Sequence, residues 1–126
     1  MKRKLLSMLV MLATAHVSAQ VTDAMIAKDA ADTDSVLSWG MGTQGQRFSP
    51  LTTINTKNVS KLAPVWSMSF GGEKQRGQES QPLVYKGKMF VTASYSRIFA
   101  VDVKTGQKLW KYEHRLPEGI MPCCDG

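Results

Sequence analysis

Between residues 65 and 112, short segments of alternating apolar and polar side chains follow one another, and this pattern limits the possible fold more than any other feature. The predicted strands are residues 65–70, 82–85, 88–93, 97–101 and 108–112. Lys86-Gly87 and the run from Asp102 to Gly106 supply turn residues between neighbouring strands. The period of the pattern is two rather than 3.6, and no helix fits between these strands. We therefore predict an all-β, antiparallel fold for this part of the chain.

The first 19 residues are typical of an export signal. Lys2, Arg3 and Lys4 precede an apolar stretch at residues 5–17, and Ser18-Ala19 completes a cleavage site of small residues. An apolar stretch of 13 residues is too short to cross a bilayer, which needs about 18 or more. We predict a signal peptide at residues 1–19, export to an oxidising compartment and no transmembrane anchor.

The following segment differs from both of its neighbours. Thr22 or Asp23 can cap a helix, and the alanine-rich sequence favours helix as far as Leu37. Gly40, Gly42 and Gly45 then mark turns. We therefore assign residues 20–60 to a short N-terminal helix with a polar wrap segment, and residues 61–126 to the β domain.

The basic character of the chain lies largely in its leader. The whole chain carries a formal charge of +6, but three of its 16 basic residues belong to the signal, which leaves 13 against 10 acidic residues, or +3. The remaining lysines are scattered instead of forming a stripe. This distribution argues against nucleic-acid binding.

The two cysteines of the chain, Cys123 and Cys124, are adjacent. Neighbouring Cα atoms lie about 3.8 Å apart, whereas ordinary disulfides need roughly 4.4–6.8 Å. A bond between the two would close a small strained ring that encloses no loop, so its value would be a rigid, polarisable surface for binding. Two free thiols, or pairing with another chain, are the alternatives, and export disfavours free thiols.

A second pattern relates these cysteines to an acidic residue. Trp66 and Trp110 are 44 residues apart, a spacing typical of β-propeller blades. Glu79 lies 13 residues after Trp66, and Cys123 lies 13 residues after Trp110. If the repeat is real, Glu79 and the cysteine pair occupy equivalent positions in neighbouring blades and face one central pocket.

Other conspicuous residues receive structural assignments. We interpret Trp66 and Trp110 as blade-docking side chains. His114 is predicted at the surface because no potential metal ligand lies at a suitable spacing, and Arg76 and Arg97 are predicted at the surface or at the rim of a site. We predict no catalytic and no metal-binding residue within these 126 residues.

Several motifs together resemble one enzyme family. The residues 100–110 (AVDVKTGQKLW) fit the pattern A-x-D-x-x-T-G-x-x-x-W of propellers in pyrroloquinoline quinone (PQQ) enzymes. The other motifs are residues 46–51 (QRFSPL), 58–62 (NVSKL), 70–80 (FGGEKQRGQES), 92–97 (TASYSR) and 122–125 (PCCD). The chain resembles the N-terminal part of periplasmic PQQ-dependent ethanol or methanol dehydrogenases.

The resemblance implies a fold, a cofactor and site residues. It implies the first blade and N-terminal wrap of an eight-bladed β-propeller. Cys123 and Cys124 would form a disulfide platform under one face of PQQ, and Glu79 would contact the polar edge of the cofactor, sharing a proton with a cofactor carboxylate. The ligands for Ca²⁺ or a lanthanide, the covering tryptophan, the catalytic base and a cofactor-binding arginine are expected beyond Gly126.

The resemblance also implies an activity and partners. The full-length enzyme would oxidise small primary alcohols to aldehydes in the periplasm and pass electrons to a cytochrome c, and it leaves a homodimer open. Two alternatives compete with this function. One is a non-catalytic propeller scaffold of the outer-membrane assembly type, which does not need adjacent cysteines. The other is a quinoprotein sugar dehydrogenase, whose transmembrane helices before the propeller this sequence lacks.

Overall fold

A computed structural model describes residues 20–71, 79–115 and 117–120. Within them, four strands form one antiparallel sheet in the order β1-β2-β3-β4. The strands are β1 Leu83–Tyr85, β2 Lys88–Ala93, β3 Arg97–Asp102 and β4 Lys108–Glu113. The sheet confirms the predicted antiparallel hairpins, with strand ends that differ from the prediction by one residue at most.

The two tight hairpin turns both use residues with positive φ, but only the first includes a glycine. Lys86 and Gly87 both have positive φ, at 49° and 71°, the arrangement that suits a two-residue hairpin with the twist of its strands. The turn between β2 and β3 uses Tyr95 and Ser96 at φ 65° and 52°. A non-glycine residue in this region costs roughly 1–2 kcal/mol, so the surroundings of the second turn must hold it in place.

The main apolar cluster of the core lies on one face of the sheet, whereas the buried Ala100 lies on the other face with Trp110. In the main cluster Val91, Ala93, Phe99 and Val101 are buried, and Trp66, Met68, Phe70 and Met89 pack against them. Paired residues on neighbouring strands share a face, and Val91 faces Phe99 while Met89 faces Val101. This main cluster is a single layer of side chains between the sheet and residues 66–70.

The predicted strand at residues 65–70 is only half right. Trp66, Met68 and Phe70 are partly buried and the residues between them are exposed, as the period of two requires. The segment is nevertheless assigned to no strand. Trp66, Met68 and Phe70 pack against the face of the sheet. Because the segment crosses this face instead of lying along an edge strand, its backbone does not pair with the sheet.

The predicted helix is shorter than expected. Helix α1 spans Asp23–Lys28, with the Thr22 hydroxyl accepting from the Met25 amide at its start, and a 3-10 turn follows at Asp29–Ala31. A second 3-10 turn lies at Val59–Lys61. The prediction of helix as far as Leu37 is wrong because the 3-10 turn ends at Ala31 and the chain then reverses.

Asp29 organises that reversal. Its side chain is fully buried, and its carboxylate accepts hydrogen bonds from the Leu37 amide (2.8 Å), the Ser38 amide (2.9 Å) and the Ser38 hydroxyl (2.7 Å). A buried carboxylate needs such partners. The segment then joins the sheet through an antiparallel bridge between Val36 and Val84. The Gln81 side chain adds two hydrogen bonds, because its Oε1 accepts from the Gly40 amide and its Nε2 donates to the Ser38 carbonyl.

Much apolar surface remains exposed on the described residues. Strand β4 is exposed along its whole length. The wrap segment exposes the large side chains Trp39, Phe48, Leu51, Ile54 and Val59, and Leu62 just after it is exposed as well. No helix in the described ranges is both long enough and apolar enough to cross a membrane. The predicted signal peptide lies outside these ranges.

Candidate functional site

Glu79, the predicted acidic site residue, is exposed at one end of the sheet. Its neighbour Ser80 determines where it lies. The Ser80 hydroxyl accepts hydrogen bonds from the Thr92 amide at 3.3 Å and from the Thr92 hydroxyl at 3.0 Å. Thr92 is the last residue but one of β2. The backbone at Glu79 is therefore held beside the turn at residues 94–96, and we name this side of the sheet the 94–96 end.

The segment that leads to the cysteines leaves the sheet at the same end. Arg97 opens β3 and pairs with Glu113, the last residue of β4. The His114 amide then donates to the Ser96 carbonyl at 3.1 Å. Cys123 follows Glu113 by ten residues. Cys123 and Cys124 lie outside the described residues, so their pairing stays a prediction.

Arg97 lies at the centre of this end and is buried, with 8% of its surface exposed. Its Nε donates to the Ser94 carbonyl at 2.6 Å, Nη1 to the Phe70 carbonyl at 3.1 Å and Nη2 to the Gly71 carbonyl at 3.1 Å. The prediction of a surface or rim position for Arg97 is wrong. All three hydrogen bonds of the guanidinium go to backbone oxygens. They connect the turn at residues 94–96 to Phe70 and Gly71.

The burial of Arg97 has a sequence signal that the prediction missed. Arg97, Phe99 and Val101 alternate along β3, and all three are buried. An alternation of two places Arg97 on the core face. At the edge of the core its long side chain can bury its aliphatic part and still carry the charged group to polar partners. Those partners are carbonyls of a segment 26 residues away in sequence, which no local pattern indicates.

The charges around Arg97 are few among the described residues. Lys111 donates to the Glu113 carboxylate and, with its charge, lowers the pKa of Glu113, while Arg97 adds a smaller effect in the same direction. His114 and Glu79 are exposed. No group of three or more His, Cys, Asp or Glu side chains that could hold a metal ion occurs in the described ranges. This end of the sheet thus offers an exposed carboxylate next to Ser80, which is hydrogen-bonded to β2.

The opposite end of the sheet carries a different contact. The Trp66 indole Nε1 donates to the Val103 carbonyl at 2.9 Å, and its ring covers Gly106 so closely that a Cβ there would lie 2.6 Å from an indole carbon. Asp102 shapes the turn: its Oδ1 accepts from the Lys104 amide, the Thr105 amide and the Thr105 hydroxyl. These bonds lower the pKa of Asp102, those from Thr105 most.

Trp110 lies on β4, on the face opposite the core. Its ring centroid is 6.0 Å from that of Phe90, and 45% of the residue is exposed. The two tryptophans of the predicted repeat are thus in different surroundings within the described residues. Trp66 rests on a turn of the sheet, whereas Trp110 presents its indole outward.

Comparison with known proteins identifies relatives of the chain. Residues 37–122 match the family model described as PQQ glucose/ethanol/alcohol dehydrogenase, β-propeller domain. A quinoprotein ethanol dehydrogenase of Pseudomonas putida is 57% identical over 90% of the chain. A 1-butanol dehydrogenase (cytochrome c) of Thauera butanivorans is 41% identical over 68% of it.

A solved structure gives the same picture of the fold. The crystal structure of quinohemoprotein alcohol dehydrogenase from Comamonas testosteroni superposes with a TM-score of 0.67 at 36% sequence identity, over 75% of this chain and 14% of that one. The chain spans 18% of the Pseudomonas putida relative and 12% of the Thauera butanivorans relative. The similarity therefore concerns one part of a much longer type of protein.

Proposed function

This chain belongs to the PQQ β-propeller family of glucose, ethanol and alcohol dehydrogenases, and from that premise we propose that it forms part of an enzyme that oxidises primary alcohols to aldehydes. The observation that supports this proposal most is the family match across residues 37–122. It covers both the 94–96 end of the sheet and most of the segment leading to the cysteine pair.

Glu79 would bind the polar edge of PQQ. PQQ supplies the two-electron oxidation chemistry when bound. The exposed Glu79 carboxylate fits a ligand with several carboxylates if one proton is shared between the two groups, because a shared proton turns repulsion into a hydrogen bond. The Ser80–Thr92 contact would keep the glutamate backbone in place for that bond.

Cys123 and Cys124 would form the floor of the same site. A ring closed by adjacent cysteines is stiff, so it loses little conformational entropy when a flat cofactor rests on it. The exit of β4 at the 94–96 end supports this assignment, because Glu79 precedes β1 at that same end of the sheet. A bound Ca²⁺ or lanthanide ion would take its ligands from residues after Gly126.

The sheet would be one blade of an eight-bladed propeller. In a propeller each blade buries its faces against its neighbours, and the exposed β4 and wrap segment have the surface for this. The contact of Trp66 with Val103 and Gly106 supports a docking role for the tryptophans. We propose that Trp110 makes the equivalent contact with the next blade.

The proposed setting is the periplasm, with a cytochrome c as electron acceptor. The predicted signal peptide at residues 1–19 supports export, and a cytochrome c is named for the Thauera butanivorans relative. A homodimer is compatible with this arrangement.

Reconstitution of the full-length apoprotein tests the proposed activity. The protein is loaded with PQQ and either Ca²⁺ or a lanthanide, and the near-ultraviolet absorption of bound PQQ and the reduction of an artificial electron acceptor are followed. Primary alcohols and glucose serve as competing substrates. Alcohol-dependent reduction is expected. Turnover of glucose alone would favour a sugar dehydrogenase, and failure to bind PQQ would favour a scaffold.

Thiol labelling tests the cysteine platform separately. The mature exported protein is alkylated with and without prior reduction, and its intact mass is measured. Protection of Cys123 and Cys124 before reduction, and two labels after it, are expected. Two labelled thiols in the unreduced, PQQ-loaded protein would contradict the platform.

A further inference from the structure

We infer that Gln81 is a positioning residue for cofactor binding, because it connects the stretch between Glu79 and β1 to the wrap segment. This inference rests on the proposed function, since it takes Glu79 as a ligand of PQQ. Gln81 does not need to touch the cofactor. It acts on the backbone that follows Glu79 and leads into the sheet.

The residues between Glu79 and β1 lie outside the hydrogen-bond ladder of the sheet. Pairing of β1 with β2 begins at Leu83 and Phe90, so residues 79–82 depend on other contacts. The Ser80 hydroxyl makes one of them, with the amide and the hydroxyl of β2 residue 92. The Gln81 side chain makes the other, on the side of the wrap segment.

The Gln81 carboxamide makes contacts like those of a paired strand. Its Oε1 accepts from the Gly40 amide at 3.2 Å, and its Nε2 donates to the Ser38 carbonyl at 3.4 Å. These two backbone groups lie on either side of Trp39. A primary amide can donate and accept at once, so one side chain provides partners for both groups.

The position of Gln81 continues an existing contact between the two segments. Val36 and Val84 form an antiparallel bridge, and three residues further along each segment the same register would set Trp39 opposite Gln81. The bridge therefore holds the wrap segment at β1, and the Gln81 side chain extends this contact toward Glu79.

The part of the wrap segment that Gln81 contacts is itself held by a buried group. The fully buried Asp29 accepts from the amide and the hydroxyl of Ser38, and the Ser38 hydroxyl accepts from the Gly42 amide at 2.7 Å. Gly40 is buried, and a Cβ on it would lie 2.9 Å from another backbone atom of the wrap. Gln81 therefore binds a closely packed part of the wrap segment.

A backbone that is already held reduces the conformational entropy that Glu79 loses when it binds a ligand. Fixing the backbone of one residue costs free energy equivalent to about a ten-fold change in affinity. Loss of the Gln81 carboxamide should therefore weaken PQQ binding about ten-fold, although Glu79 is unchanged. A change at the Ser38 hydroxyl should reach Glu79 only while Gln81 is present.

The first test uses the full-length protein with Gln81→Met, which keeps the length of the side chain and removes both hydrogen bonds. Gln46→Met, at an exposed glutamine of the same wrap segment, is the matched control. PQQ dissociation constants are measured by titration of each apoprotein in the presence of Ca²⁺, well below its unfolding temperature.

Gln81→Met should bind PQQ about ten-fold more weakly than the wild type, and Gln46→Met should match the wild type. A lower unfolding temperature of Gln81→Met with wild-type PQQ affinity would mean that the glutamine only supports the blade, which overturns the inference.

The variant Ser38→Ala separates this coupling from a general loss of stability. It removes the hydroxyl that contacts Asp29 and Gly42, and it keeps the carbonyl that Gln81 contacts. Ser38→Ala should weaken PQQ binding when Gln81 is present and have no further effect in the Gln81→Met protein. An equal effect in the two backgrounds would overturn the inference.

Gln81→Glu decides the question if Gln81→Met does not fold. Glutamate keeps an acceptor for the Gly40 amide but has no donor for the Ser38 carbonyl when it is ionised. Weaker PQQ binding than in the wild type would support the inference, and wild-type affinity would overturn it.

Failure of the proposed function gives a different result. If the wild-type protein does not bind PQQ, the proposed function fails, but hydrogen exchange of the apoprotein still tests the connection. The Thr92 amide donates to Ser80, next to Glu79, so its exchange rate reports on the backbone there. Faster exchange at Thr92 in Gln81→Met than in Gln46→Met would support the connection, and equal rates would overturn it.

Discussion

Replacement of Gly106 by alanine tests the contact between Trp66 and the turn after β3. Gly106 has φ 71°, and a Cβ built on it would lie 2.6–2.8 Å from three indole carbons of Trp66. Gly87, in the neighbouring turn, has the same φ of 71° but no heavy atom within 4 Å of the corresponding Cβ position. Gly87→Ala is therefore a matched control for backbone strain alone.

The two substitutions should differ in their cost to stability, because only a Cβ at Gly106 clashes with the Trp66 indole. An alanine with positive φ costs roughly 1–2 kcal/mol at either site. At Gly106 the Cβ must also displace the indole, which adds about 1–3 kcal/mol for overpacking, and about 1 kcal/mol more if the hydrogen bond from Trp66 to Val103 is lost. Gly106→Ala should thus lower the free energy of unfolding by about 1–4 kcal/mol more than Gly87→Ala does.

Urea unfolding of the full-length protein, followed by tryptophan fluorescence and circular dichroism, measures both costs. The variant Trp66→Leu completes a double-mutant cycle with Gly106→Ala. Once the indole is gone, the added methyl group has room, so the cost of Gly106→Ala should fall to that of Gly87→Ala.

Two results would refute this reasoning. One is an equal loss of stability for Gly106→Ala and Gly87→Ala. The other is a cost of Gly106→Ala that does not change when Trp66 is replaced by leucine. Either result would mean that the indole does not pack on the turn as the structure describes.

Three further predictions concern carboxylates. Asp29→Asn should lower the free energy of unfolding by roughly 2 kcal/mol, because the buried side chain loses its charge-assisted hydrogen bonds from Leu37 and Ser38. Urea titration measures this loss, with Asp34→Asn at an exposed position as the control. The pKa of Asp102 is lowered in the folded protein. Its contribution to stability is therefore present above the ordinary aspartate pKa of about 3.9 and is lost as pH falls through the folded value. Asp102→Asn should flatten this part of the plot of stability against pH, and an unchanged plot would contradict the assignment. Glu79→Gln should retain PQQ, since an amide can still donate to a cofactor carboxylate, whereas Glu79→Ala should lose it, as measured by dialysis and absorbance.

The strands and turns could be predicted from sequence because their causes are local. An alternation of two determines which side chains share a face, and Lys86-Gly87 suits a tight hairpin turn. The turn at Asp102 is equally local, since its carboxylate bonds the amides of Lys104 and Thr105. These contacts join residues only a few positions apart, so the local sequence is enough to predict them.

The site could be predicted only in part. Glu79 was found through its spacing and the family motifs, and the structure places it exposed beside the end of β2. Cys123 and Cys124 were found in the same way and lie outside the described residues. Neither spacing nor motif indicated that Ser80 and Thr92 would hold the glutamate backbone, because these residues meet across 12 positions of the chain.

The sequence by itself determined where the four strands of the sheet run and which residue types meet at their turns. Only the tertiary structure decided where the helix ends and what Arg97 does. The helix stops because the Asp29 carboxylate is buried against Leu37 and Ser38, which outweighs the local preference of the alanines. Arg97 can be buried because the carbonyls of Phe70 and Gly71 accept hydrogen bonds from its guanidinium. A buried polar group is stable only with its partners in place, and partners distant in sequence are brought together only by the folded chain.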